Sequence, residues 1–163
     1  MVRSMRRLVG ASGIAALALA LAGCGLTVPS DPDGTLETVS GGVLAVGVTP
    51  NPPFTETDDA DDEEPSGTEV TLVESFAASI DAELSWTVGS EEDLVRQLEE
   101  GDLDLVIGGI TEQTPWAAHA APTRAYAQAL QPDGSTTGVV MLTPMGENAF
   151  LAALEQHLDE AAP

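Results

Sequence analysis

The sequence predicts an α/β domain built on a mostly parallel sheet, and three observations carry that expectation. Val43–Val48, Leu84–Val88 and Leu103–Ile107 are short apolar runs of strand length. Between them, two stretches repeat apolar residues at helical spacing, one over about 68–81 and one from Ser90 to Gly101. The order strand, helix, strand, helix, strand joins parallel strands through right-handed crossovers.

Each element has a local reason. Val43-Leu44-Ala45-Val46-Gly47-Val48 is almost wholly apolar, as a strand buried on both faces must be. The following TPNPPFTE contains three prolines and reads as a loop at the strand's carboxyl end. Ser66 and Glu69 have the spacing of a capping box, and Val70, Val73, Ala77 and Ile80 supply the apolar stripe of the helix. Leu84, Trp86 and Val88 share one face of the second strand. Ser90 and Asp93 repeat the capping spacing, with Glu91 and Glu92 in the first turn, where they complement the helix dipole. Leu94, Val95 and Leu98 form the buried stripe, Arg96 stands one turn from Glu92 and from Glu100, and Gly101 stops the helix. The third strand runs into Gly108-Gly109-Ile110-Thr111, where glycine permits close backbone approach and its amides can face an anion. A returning strand at Val139–Leu142 precedes a final helix opened by Thr143-Pro144 and striped by Phe150, Leu151, Leu154 and Leu158.

The amino-terminal segment does not belong to this domain. Arg3, Arg6 and Arg7 precede the apolar run 8–20, and Leu21-Ala22-Gly23-Cys24 closes it. That is the layout of a signal peptide over 1–23. The ending resembles the lipobox of bacterial lipoproteins, which implies that Cys24, the chain's single cysteine, is acylated and anchors the protein to the outer face of the cell membrane. Residues 24–40, rich in Pro, Gly, Ser, Thr and Asp, read as a flexible tether, and 41–160 as the folded domain. After Cys24 the chain sets Arg96 and Arg124 against all 27 carboxylates, with no lysine. Such a surface repels nucleic acid and acidic lipid headgroups and suits a salt-rich setting.

Three segments together carry a family resemblance: GGVLAVGVTPNPPF, GTEVTLVESFAASIDAELSW and LVRQLEEGDLDLVIGGIT. Between Gly41 and Tyr126 the chain resembles the family 3 extracellular solute-binding proteins that serve amino-acid ABC transporters. The resemblance implies a type II periplasmic-binding-protein fold, whose two lobes close on a small polar ligand such as an amino acid. It implies ligand-binding roles for Phe54 with Asn51 beside it, and for the backbone and hydroxyl of Gly109, Ile110 and Thr111. It also implies a membrane transporter as partner. Two departures stand out. The arginine that the family commonly carries after the threonine, to clamp the ligand carboxylate, is missing from TEQTPWAAHA. Arg124 is the nearest cation: it either substitutes as the clamp or balances neighbouring carboxylates. The family's second lobe is missing too, because Tyr126 is followed almost at once by the returning strand. The chain reads as a single lobe.

Other constellations are weak. In the acidic run TETDDADDEEPSGTE, a calcium loop counted from Asp59 would need glycine at Glu64 and glutamate at Val70. The run reads as a solvated loop. His119 and His157 lack companions at metal spacing, and no metal or cofactor is expected. His119 faces either the cleft or a structural partner, and Phe54 and Trp116 each either line a pocket or fill the core or cover the sheet edge. There is no nucleophile elbow and no phosphate loop, so binding rather than catalysis is expected. Two functions remain: a lipid-anchored solute-binding protein associated with ABC-type transport, or an interaction module whose cleft is vestigial or filled by a protein that completes it.

Overall fold

The computed structural model describes residues 30–57 and 64–161. The expected signal peptide, Cys24, the start of the tether and the middle of the acidic run lie outside the described residues. The elements are helix α1 (Thr35–Val39), strand β1 (Val43–Val48), α2 (Thr68–Ser79), β2 (Glu83–Val88), α3 (Glu91–Glu100), β3 (Leu105–Thr111), a 3₁₀ turn (Pro115–Ala118), β4 (Ala121–Pro122), β5 (Ala127–Leu130), β6 (Thr136–Thr143) and α4 (Asn148–Ala161).

The strands form one sheet in the order β2-β1-β3-β6-β4, with β5 also paired to β6. β1 runs parallel to both β2 and β3, as the crossovers require. The other half departs from the parallel expectation. β6 is antiparallel to β3, β4 and β5, because the chain returns through a hairpin instead of a crossover helix. A turn closes the β5–β6 hairpin: the amide of Gln131 donates to the carbonyl of Ser135, and that of Gly134 to the carbonyl of Gln131. The sequence expectation of one lobe is therefore met by a tight connection where a second lobe would enter.

Two apolar layers sandwich the sheet. On one face Val70, Val73 and Phe76 of α2 and Phe150, Leu154 and Leu158 of α4 cover Leu44, Val46 and Val48 of β1 and Ile107 of β3. On the other, Leu94, Val95 and Leu98 of α3 pack on Val106, Ile110, Val140 and Leu142. β1 is buried on both faces, as its composition demands, whereas Val88 at the end of edge strand β2 is 55% exposed.

Three local expectations change. The segment 24–40 is not a tether throughout. From Ser30 it docks on the domain: Ser30 accepts the Asn148 amide, and Asp31 accepts amides of Leu36, Ala149 and Phe150, so that one carboxylate caps both α1 and α4. Glu147, almost fully buried, takes the amides of Asp33 and Thr35 at 3.0 Å. Second, α4 begins at Asn148 and not at Pro144, since those two carboxylates build its entry. Third, β3 starts later and runs further than expected, through the diglycine to Thr111. Helix α3 behaves as read: Ser90 accepts the Asp93 amide, Gly101 is left-handed, and Arg96 meets Glu100 at 2.8 Å, with Asp93 as its second partner in place of Glu92. No helix among the described residues is long and apolar enough to cross a membrane.

Candidate functional site

The carboxyl ends of β1 and β3 lie side by side, the edge at which open sheets of this kind bind ligands. After β1 the chain makes a tight turn. The amide of Asn51 donates to the carbonyl of Thr55, whose hydroxyl donates in turn to the carbonyl of Thr49 at 2.5 Å. The prolines between them leave few amides to satisfy, and Thr55, fully buried, ties the turn to the strand end. The Asn51 side-chain amide donates across to the Gly108 carbonyl at 2.8 Å.

The diglycine answers that turn. Gly109 is left-handed, with φ +63°, and a Cβ built on it would stand 2.5 Å from Phe54 Cδ2 and 2.6 Å from Asn51 Nδ2. Only glycine lets β3 pass this close to the turn. The register of β3 against β6 shifts between Val106 and Ile110, so the diglycine is a bulge in the sheet.

The glycine amides are not turned outward. Gly108 and Gly109 both donate to one oxygen of Glu69, each at 2.8 Å, and the other oxygen accepts the Tyr126 hydroxyl. Glu69 is fully buried. Burial pushes its carboxyl above the usual range, while the bonds from Tyr126, Gly109 and Gly108 pull it back. Burial and the same carboxylate raise the Tyr126 hydroxyl far above its ordinary value. The capping spacing Ser66–Glu69 is thus misleading: the N-cap of α2 is Gly67, with no side-chain cap. Glu69 crosses to β3 instead. Nothing in the periodicity flags it, since a glutamate in a first helical turn ordinarily serves its own helix.

The expected binding residues divide. Asn51, Phe54 and Gly109 meet at the edge, and Thr111 closes β3 there, half-buried. The Ile110 side chain is buried in the layer under α3, which leaves its backbone for any contact at the edge. Arg124 is elsewhere. Its guanidinium pairs with Glu155 and Asp159 of α4 at 2.9 Å each, so of the two readings the balancing one matches its position. Arg96, the other cation of the domain, pairs with Glu100 on α3, so among the described residues neither arginine is directed at this edge. Trp116 lies against the α3 layer and donates its indole N–H to Glu91 at 2.9 Å. His119 pairs with Glu99 and His157 with Ser75, each through an ordinary surface bond. Among the described residues, no three His, Cys, Asp or Glu side chains cluster as a metal would require. A separate concavity of about 600 Å³ opens at the opposite end of the sheet, between Thr38, Gly101, His119 and Met145, and shares no residue with this edge.

The profile of the bacterial extracellular solute-binding proteins, family 3, matches residues 44–162. No curated protein matches the chain significantly. Among solved structures, the arginine-bound form of domain 1 from TmArgBP is 24% identical, with 76% of this chain and 97% of that one covered at a TM-score of 0.65. The L-cystine solute receptor of Neisseria gonorrhoeae, in an unliganded open conformation, is 11% identical over 77% of this chain and 89% of that one, at 0.62. An ancestral cyclohexadienyl dehydratase is 13% identical over 76% and 88%, at 0.63. At these identities the likeness establishes the fold, a periplasmic-binding-protein lobe.

Proposed function

The chain belongs to the bacterial extracellular solute-binding proteins, family 3, and from that premise we propose that it captures a small polar solute, such as an amino acid, at the carboxyl edge of β1 and β3. The observation that supports this reading most is the seating of Phe54 and Asn51 on Gly109, beside Thr111. An aromatic face, an amide and a hydroxyl thereby converge where the sheet opens. The charge pattern narrows the solute. Glu69 already fills the diglycine amides, Arg96 is paired with Glu100 and Arg124 with Glu155 and Asp159, so the edge has little to offer an anion. A zwitterion or a cation fits better. The crystal form of TmArgBP domain 1 is arginine-bound, which supports binding by one lobe.

Cys24 is the proposed lipid attachment, holding the protein at the outer face of the membrane, where it would pass solute to an ABC-type transporter. Replacing Cys24 by serine should release the protein to the soluble fraction; a variant still sedimenting with membranes refutes the anchor. The reading is of binding without catalysis. Glu69 is buried and committed to three donors, out of reach of a substrate proton. The second reading is an interaction module. One observation favours it: a single lobe covers only one side of a ligand, and tight pockets enclose most of it.

The test is a thermal-shift titration of residues 25–163 with L-arginine, L-cystine and the remaining amino acids. A solute bound by the folded state alone stabilises by RT ln(1 + [L]/Kd), about 2.7 kcal/mol at a hundredfold excess over Kd. A selective, saturable shift supports solute capture. A cooperative transition that no solute moves refutes it in favour of the interaction module.

A further inference from the structure

We propose that Glu69 is the positioning residue of the ligand edge, its carboxylate holding the Gly108–Gly109 bulge in the shape that seats Phe54 and Asn51 and presents Ile110–Thr111. The inference rests on the solute-binding reading of that edge and adds a residue to it.

Successive amides of a regular strand point to opposite sides. Here two successive amides converge on a single oxygen at 2.8 Å, which requires the chain to leave the pleat. It does so at φ +157° and +63°. Two convergent amides form an anion-binding concavity, and an anion that fills it stabilises the turn. Glu69 is that anion, supplied from within the fold. Its second oxygen holds Tyr126, the residue that leads into β5, so one side chain ties α2, the bulge and the start of the hairpin together.

The outer side of the bulge carries the edge residues. The Gly108 carbonyl receives Asn51, and the Gly109 α-carbon receives the Phe54 ring. If the amides were released, β3 could straighten and restore the register lost between Val106 and Ile110, and the contact surface of Phe54 would turn away. Filling space between helix and sheet does not explain a charged side chain here. A well-packed apolar residue does that without desolvating a carboxylate, and is often the more stable choice. What an apolar residue lacks is the acceptor.

That contrast supplies the test. Glu69→Leu keeps the bulk and removes the acceptor; Glu69→Gln keeps an acceptor oxygen for the glycines. Amide resonances and L-arginine affinity are measured for both and for the unaltered chain. In Glu69→Leu, the Gly108 and Gly109 amide protons should lose their downfield position, the resonances of Asn51, Phe54 and Thr111 should move, and affinity should fall by about tenfold or more. Glu69→Gln should recover most of the affinity and displace the same resonances, but by less than Glu69→Leu does. A folded Glu69→Leu protein with unmoved edge resonances and unchanged affinity overturns the proposal. If Glu69→Leu does not fold, Glu69→Gln decides, since its weaker, uncharged acceptor should still displace both glycine amide resonances and move those of the edge, and unmoved resonances overturn the proposal. If the unaltered chain binds none of the solutes, the solute-binding reading fails by itself, while movement of Asn51, Phe54 and Thr111 still decides whether Glu69 sets the edge.

Discussion

Replacing Gly109 by alanine isolates the contact on which the candidate site is built. The added methyl would sit 2.5 Å from Phe54 Cδ2, 2.6 Å from Asn51 Nδ2 and 3.0 Å from Phe54 Cγ. Carbon atoms at rest lie about 3.5–4.0 Å apart, so the ring must retreat by roughly 1 Å. The backbone adds its own term, because φ is +63° and a Cβ in the left-handed region costs about 1–2 kcal/mol. Overpacking of a close contact contributes about 1–3 kcal/mol more. The sum is about 2–5 kcal/mol, a large part of the ~5–15 kcal/mol that holds a domain of this size. Gly134→Ala is the control: that residue has φ +85°, and nothing lies within 4 Å of its built Cβ, so it carries the backbone term alone. Urea denaturation of both variants, followed by circular dichroism, measures the difference. Gly109→Ala should be the less stable by about 1–3 kcal/mol and should lose solute affinity. Equal midpoints for the two variants would show that Phe54 and Asn51 do not rest on this glycine, and the site as described would fall.

Three further outcomes follow from the contacts. Arg124→Ala should leave solute affinity within about twofold, because its partners Glu155 and Asp159 lie on α4; a large loss, by calorimetric titration, would restore the clamp role. Burial alone would raise the Glu147 carboxyl, but the amides of Asp33 and Thr35 outweigh it and hold it below the ordinary value, so its contribution is present above the unfolded carboxylate range and lost as pH falls through the lower folded value. Glu147→Gln should therefore be least stable relative to the parent at neutral pH, with the gap narrowing on acidification; a gap that widens in acid contradicts the assignment. Finally, with 27 carboxylates against Arg96 and Arg124 after Cys24, the melting temperature should rise from low salt to about 1 M sodium chloride as repulsion is screened, and a fall would count against repulsion as a cost to the fold.

The parallel half of the fold was legible in the sequence because each element there obeys one local rule. Val43–Val48 is apolar throughout and, past the exposed Val43, buried or half-buried, and the Ser90–Gly101 helix carries its start signal, its stop signal and its stripe. Legibility failed where a side chain serves a distant element. Glu69 has cap spacing with Ser66 yet bonds 39 and 40 residues away. Asp31 reads as linker composition yet closes the first turn of a helix more than a hundred residues downstream. Local pattern has no term for such partners. Arg124 shows the same limit from the other side: its position in the chain suggests the cleft, and only the packing of α4 places two carboxylates next to it. The diglycine stands out in the sequence as a place for close backbone approach with amides free to face an anion, and the internal carboxylate that occupies them is visible only in three dimensions.

The early docking of the chain at Ser30 has a geometric consequence. Six residue steps separate Cys24 from Ser30, so even a fully extended link reaches no more than about 20 Å. Ser30 is fastened beside Asn148, at the edge of the sheet opposite the Asn51–Phe54 turn. A lipid at Cys24 would then act as a short leash on one pole of the molecule. The opposite pole, carrying Phe54, Thr111 and the β5–β6 hairpin, would be held out from the bilayer, open to solutes arriving from outside and to any protein that approaches from above.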